Sequence, residues 1–122
     1  MSVDLKQLVI TALEDLKGEN IVELNVAELS DVMDVLVIAT GTSNRHVKSL
    51  ANNVVMEGKD KGVPPIGVEG MDTGEWVLVD FGDIVVHVMQ QKARDFYELE
   101  KLWSMEPAGR RKKADEASGE QE

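Results

Sequence analysis

The stretch WVLVDFGDIVVHVM, Trp76 to Met89, constrains the fold more than any other part of the chain. Two runs of apolar and β-branched residues flank Gly82-Asp83, and glycine at the first position of a two-residue loop suits a primed hairpin turn. Side chains alternate across a strand, so the turn decides which residues share a face. With Gly82-Asp83 as the loop, Phe81 stands opposite Ile84, Val79 opposite Val86 and Val77 opposite Val88. All six are apolar and must face a core. The other face carries Trp76, Leu78 and Asp80, opposite Met89, His87 and Val85. Buried, Asp80 and His87 need polar partners. Exposed, the apolar members form a patch of the kind that marks a binding surface, and Trp is a residue type enriched at interface hot spots. The hairpin alone leaves both readings open.

The rest of the chain supplies the layers that such a hairpin needs. Leu5, Leu8, Val9, Ala12, Leu13 and Leu16 recur at helical spacing, with Lys17 in the last turn and Gly18 as a stop. NIVELNV alternates and predicts a half-buried edge strand. DVLVIAT, Asp34 to Thr40, is almost continuously apolar, which predicts a strand covered on both faces. After Gly41, Thr42 or Ser43 can cap a helix whose core stripe is Val47, Leu50, Ala51, Val54 and Val55, with Gly58 near its end. Pro64 and Pro65 forbid a helix, so only Ile66 to Val68 can pair easily as a short strand. After the hairpin, Ala93, Phe96, Leu99 and Trp103 form a last helical stripe. The order predicts an α/β fold: a mixed sheet of about five strands with flanking helices. Its domain spans residues 1–105, followed by a disordered charged tail, 106–122, too poor in apolar surface to order itself.

Charge narrows the function. The net charge is −10, and nine basic against eighteen acidic residues precede Glu106, so the acidity belongs to the domain. Nucleic-acid binding draws most of its affinity from Lys and Arg, so little direct nucleic-acid binding is expected, while a basic protein partner would be attracted. No apolar run approaches the roughly 20 residues that span a bilayer. The N-terminus lacks the basic start and apolar core of a signal peptide, so the expectation is a cytoplasmic protein with no membrane contact. With no cysteine there is no disulfide and no thiolate metal site.

No catalytic constellation emerges. TGTSN at a strand-to-helix junction could hold an anion on backbone N–H groups, but it lacks the glycine spacing and Lys-Ser/Thr pair of a phosphate loop. Asp31, Asp34, Asp80 and Asp83 show no one-residue strand spacing that would bring two carboxylates to one metal ion. His46 and His87 are isolated, and Ser43 and Ser49 sit in no glycine elbow. The expectation is therefore no enzyme, no cofactor and no metal.

The segments DVLVIATGTSNRHVKSLANNV, Glu69-Gly70, GEWVLVDFGDIVVHVM and RDFYELEKLW, taken in this order, resemble the ribosomal silencing factor family, also called Iojap, over about Leu5 to Trp103. The resemblance implies a nucleotidyltransferase-like scaffold without that chemistry, since the paired carboxylates are missing. It implies binding to the large ribosomal subunit through ribosomal protein number fourteen. It further implies obstruction of small-subunit joining, which slows translation under nutrient limitation. On the hairpin's second face the expected contact residues are Trp76 and Leu78 as apolar anchors, Asp80 as an acceptor for Lys or Arg, and His87, with Arg94 and Tyr97 extending the face as rim contacts. Two other readings compete: a nucleotide-binding or nucleotidyl-transferring enzyme, and a homodimer through the same face.

Overall fold

Asp4 opens the first helix, α1 (Leu5–Asp15), by accepting the Gln7 N–H on its carboxylate at 3.1 Å. Such a cap stabilises a helix by about 1 kcal/mol. In the computed structural model, which describes residues 4–98 and Lys101, α1 ends in paired bonds from Lys17 N–H to the Glu14 carbonyl and from Gly18 N–H to the Leu13 carbonyl. The left-handed residue that this closure needs is Lys17 (φ 63°), not the glycine. Gly18 serves a different need. A side chain there would meet the Leu13 carbonyl oxygen at 3.1 Å and the Leu50 side chain at 3.3 Å, so the chain turns tightly under the second helix.

The strands β1 (Glu19–Asn25), β2 (Val35–Gly41), β3 (Gly67–Glu69), β4 (Trp76–Asp80) and β5 (Ile84–Gln90) form one sheet in the order β1-β2-β5-β4-β3. β2 and β5 run parallel; every other neighbouring pair is antiparallel. β1 is an edge strand, as its alternation predicts, and β2 lies inside with Leu36 to Gly41 buried. The short third strand begins one residue later than expected. Ile66 N–H still bonds the Asp80 carbonyl at 2.6 Å, but the Ile66 side chain is 75% exposed.

Between β2 and β5 the chain crosses the sheet through α2 (Asn44–Asp60). Ser43 is the cap, accepting the His46 N–H at 3.0 Å. The stripe Val47, Leu50, Ala51 and Val54 is wholly buried. Gly58 stays within the helix because a side chain there would strike the Val63 carbonyl at 2.8 Å and the Phe81 ring at 3.0 Å. Together α1 and α2 cover one face of the sheet, where Val37, Ala39, Val77, Val79, Val86 and Val88 complete the main core.

Among the described residues the opposite face is covered only in part. Val26, Leu36, Ile38, Met89 and Ala93 make a smaller buried cluster, with Leu24, Met33, Trp76 and Val85 at its margin. The last helix, α3 (Gln91–Tyr97), follows β5 without a loop and stops at Glu98 in a left-handed conformation. Ala93 is buried as its stripe predicts, but Phe96 is 78% exposed, which corrects its assignment to the core. Leu99, Trp103 and the tail from Glu106 lie outside the described residues. No helix among the described residues is long and apolar enough to cross a membrane.

Candidate partner-binding face

The hairpin has the register that its turn dictates. Trp76 stands opposite Met89, Val77 opposite Val88, Leu78 opposite His87, Val79 opposite Val86 and Asp80 opposite Val85. Gly82 supplies the required positive φ of 95°, and Phe81 N–H closes the turn on the Ile84 carbonyl at 2.9 Å. Trp76, Leu78, Asp80, Val85, His87 and Met89 therefore share the less covered face. Their burial falls off toward β4. Met89 and His87 are shielded, while Trp76, Leu78, Asp80 and Val85 keep part of their surface.

The two polar groups on this face are satisfied separately. The Trp76 indole N–H donates to His87 Nδ1 at 2.8 Å, a diagonal contact across the hairpin. An acceptor Nδ1 leaves the imidazole proton on Nε2. Burial lowers the His87 pKa to about 4, so the ring is neutral at physiological pH and the indole bond persists. Asp80 uses Oδ1 to accept the Gly82 N–H at 2.7 Å, local turn chemistry at the strand end.

Helix α3 completes the face. The Tyr97 and Trp76 rings pack with centroids 4.6 Å apart and planes tilted by 46°. Tyr97 is itself about half exposed. Arg94 was expected at the rim, and the structure corrects this: it is 5% exposed and donates from its guanidinium to Thr40 Oγ1 at 2.7 Å. A helix has one inward direction, and Arg94 bonded to Thr40 shares it with Ala93 and Tyr97. Phe96 is thereby rotated outward, where it meets Tyr97 edge-on at 4.9 Å. Glu75, Lys92, Ala93, Phe96 and Tyr97 line an open cleft of about 320 Å³ beside Trp76. Sequence reasoning put Val85 on this face without naming it a contact, and it missed the parts that Phe96 and Thr40 play here. Val85 was visible from parity. The other two depend on how α3 is rotated, for which the sequence carries no local signal.

The strand-to-helix junction that could have held an anion is occupied by its own chain. Thr42 N–H donates to His46 Nδ1 at 2.9 Å, and Ser43 takes the His46 N–H. With Nδ1 accepting, His46 Nε2–H donates to the Leu16 carbonyl at 2.8 Å and ties α2 to the end of α1. Among the described residues no three His, Asp or Glu side chains are grouped to hold a metal ion.

A family model described as "Ribosomal silencing factor during starvation" matches residues 2–122. A protein of Chromobacterium violaceum named "Ribosomal silencing factor RsfS" is 50% identical over 100 residues, covering 82% of each chain. A crystal structure of a protein from the same organism superposes with a TM-score of 0.83 at 48% identity, covering 88% of this chain and 91% of that one. A more distant mouse relative, named "Mitochondrial assembly of ribosomal large subunit protein 1", is 36% identical over 96 residues, which cover 74% of this chain and 42% of its own.

Proposed function

The chain belongs to the ribosomal silencing factor family, and from that premise we propose that it docks on the large ribosomal subunit through the β4 side of its open sheet face and obstructs joining of the small subunit. The observation that carries this reading is the part-exposed face itself. Among the described residues Trp76 and Leu78 keep part of their apolar surface open there, and the Trp76 ring is already fixed by His87 and Tyr97. A preset aromatic anchor loses little side-chain freedom on docking, which favours binding.

The partner surface that fits is basic and partly apolar, such as a ribosomal protein; ribosomal protein number fourteen of the large subunit is the assignment that family membership suggests. The name of the mouse relative points to the large subunit as well. A domain of net negative charge is drawn toward a basic surface, and Asp80, with Oδ1 held by the turn, keeps its other oxygen to accept from a Lys or Arg. Tyr97 extends the patch. His87 and Arg94 act from beneath: His87 holds the Trp76 ring, and Arg94 fixes the rotation of α3 that brings Tyr97 onto it.

No chemical step is needed. A body bound at the face where two subunits meet occupies volume that the second subunit must fill, and translation falls when free large subunits are held in this way. In this reading residues 1–105 suffice for binding, the site of action is the cytoplasm, and nutrient limitation is the setting. A symmetric dimer through the same face would compete with docking rather than assist it. The test is to incubate the protein with purified large subunits, add small subunits and sediment. Joined ribosomes should decrease as protein is added; undiminished joining at saturating protein overturns the reading.

A further inference from the structure

The outer face of α2 differs in charge from the rest of the chain. Acidic residues make up 23 of 122, yet none occurs from Val35 to Met56. Within that interval Arg45 and Lys48 lie one turn apart on the exposed side of the helix, followed by Ser49 and Asn52. Lys6, Lys92 and Lys101, on other elements, lie in ion pairs instead, with Glu23 at 3.2 Å, Glu75 at 3.8 Å and Glu98 at 3.7 Å. No carboxylate comes within ion-pair distance of Arg45 or Lys48 among the described residues.

These side chains line a groove of about 490 Å³ between α2 and the turn that carries Met71. Its walls are held in place. The Gln90 side-chain amide donates to Asn44 Oδ1 and to the Gly74 carbonyl, fastening the turn to the start of α2. The Lys48 stem lies across Gly74, where an added side chain would meet it at 3.0 Å. Glycine at that position (φ 73°) lets the lysine run over the turn instead of away from it. Two cations flanked by a hydroxyl and a carboxamide, along a shallow open groove, suit a phosphodiester backbone better than they suit a basic surface or an apolar peptide.

Position gives the groove a specific occupant. The Met71–Glu75 turn that forms one wall leads directly into Trp76, and Gln90, which ties the groove together, directly follows Met89, the cross-strand partner of Trp76. The groove and the proposed docking face therefore meet at the same end of the sheet. We infer that, once the sheet face is seated on the large subunit, the Arg45–Lys48 groove receives a stretch of ribosomal RNA backbone. This inference rests on the docking reading. The charge of the whole chain still opposes RNA binding by itself, so the groove acts as a second contact that the first one presents to the phosphates.

The experiment is co-sedimentation of the full-length protein with purified large subunits between 50 and 200 mM KCl, comparing wild type with Arg45→Gln/Lys48→Gln. Each phosphate contact contributes about 0.7 to 0.9 to the slope of log affinity against log salt. Loss of two contacts should therefore make the wild-type advantage shrink about seven- to twelvefold across that range. A wild-type to variant affinity ratio that does not change with salt overturns the inference. A photo-crosslinking residue in place of Asn52 identifies what is touched: an RNase-sensitive adduct is expected, and an adduct with ribosomal protein alone assigns the groove to protein and overturns the RNA assignment. Leu78→Gln, uncharged and on the other surface, separates the two layers. If it abolishes sedimentation while the ratio above stays flat, docking stands and the groove fails. If wild type does not sediment at the lowest salt, both fall.

Discussion

His87 makes the stability of this domain depend on pH in a direction that can be worked out. Its folded pKa is lowered from 6.5 to about 4, because burial penalises the charged ring. Above pH 6.5 the imidazole is neutral in both folded and unfolded chains, and its full contribution to stability is present. As the pH falls below 6.5 the unfolded chain takes up a proton that the folded site refuses, so folding weakens by about 1.4 kcal/mol per pH unit. The loss ends near pH 4, where the folded ring protonates too, and totals about 3 kcal/mol. Carboxylates also titrate over this range, so the assay must be differential: urea denaturation of wild type and His87→Gln at pH 7.5, 6, 5 and 4. Wild type should be the more stable at pH 7.5, because its ring accepts the Trp76 N–H. That advantage should shrink by about 3 kcal/mol by pH 4. An advantage that stays constant with pH, or a His87 imidazole NMR signal titrating near pH 6.5 in the folded protein, would refute the reasoning.

Other consequences follow from single contacts. Gly70 has φ 90°, and a side chain there would overlap the Trp76 carbonyl oxygen, so Gly70→Ala should destabilise by about 3 kcal/mol or more, read as a lower urea midpoint. Thr40→Val keeps the volume but removes one acceptor of the buried Arg94 guanidinium; a loss of about 1.5 to 3 kcal/mol is expected by denaturation, with weaker subunit binding as Tyr97 loses its seat over Trp76. No change in stability would show that Arg94 does not depend on this bond.

The sheet was legible because its information is local. A two-residue turn with glycine sets the register of β4 and β5, and strand parity then sorts every side chain to one face or the other. Continuous apolar character placed β2 inside, and alternation placed β1 at the edge. The parts that were not legible depend on contacts distant in sequence. Arg94 and Thr40 are 54 residues apart, yet their bond goes with the rotation of α3 that leaves Arg94 buried and Phe96 exposed. The Trp76–His87 bond lay within reach of the register, since the two are diagonal neighbours, but its geometry needs the rotamers of both rings. At the end of α1 the sequence marked Gly18 only as a stop; the structure shows that Lys17 takes the left-handed conformation and that Gly18 relieves crowding against Leu50. Resemblance to a family reached further than any of these, because the proposed function resides in a surface rather than in a motif with its own chemistry.

The central claim is that the half-open sheet face, at its β4 side, is what meets the large subunit. The most direct test is equilibrium binding of Leu78→Gln to purified large subunits, with thermal unfolding measured on the same preparation. Leu78 is only partly buried, so the unfolding temperature should stay close to that of wild type while affinity falls at least thirtyfold, the equivalent of about 2 kcal/mol at an interface anchor. Wild-type affinity in a variant with wild-type stability would contradict the account.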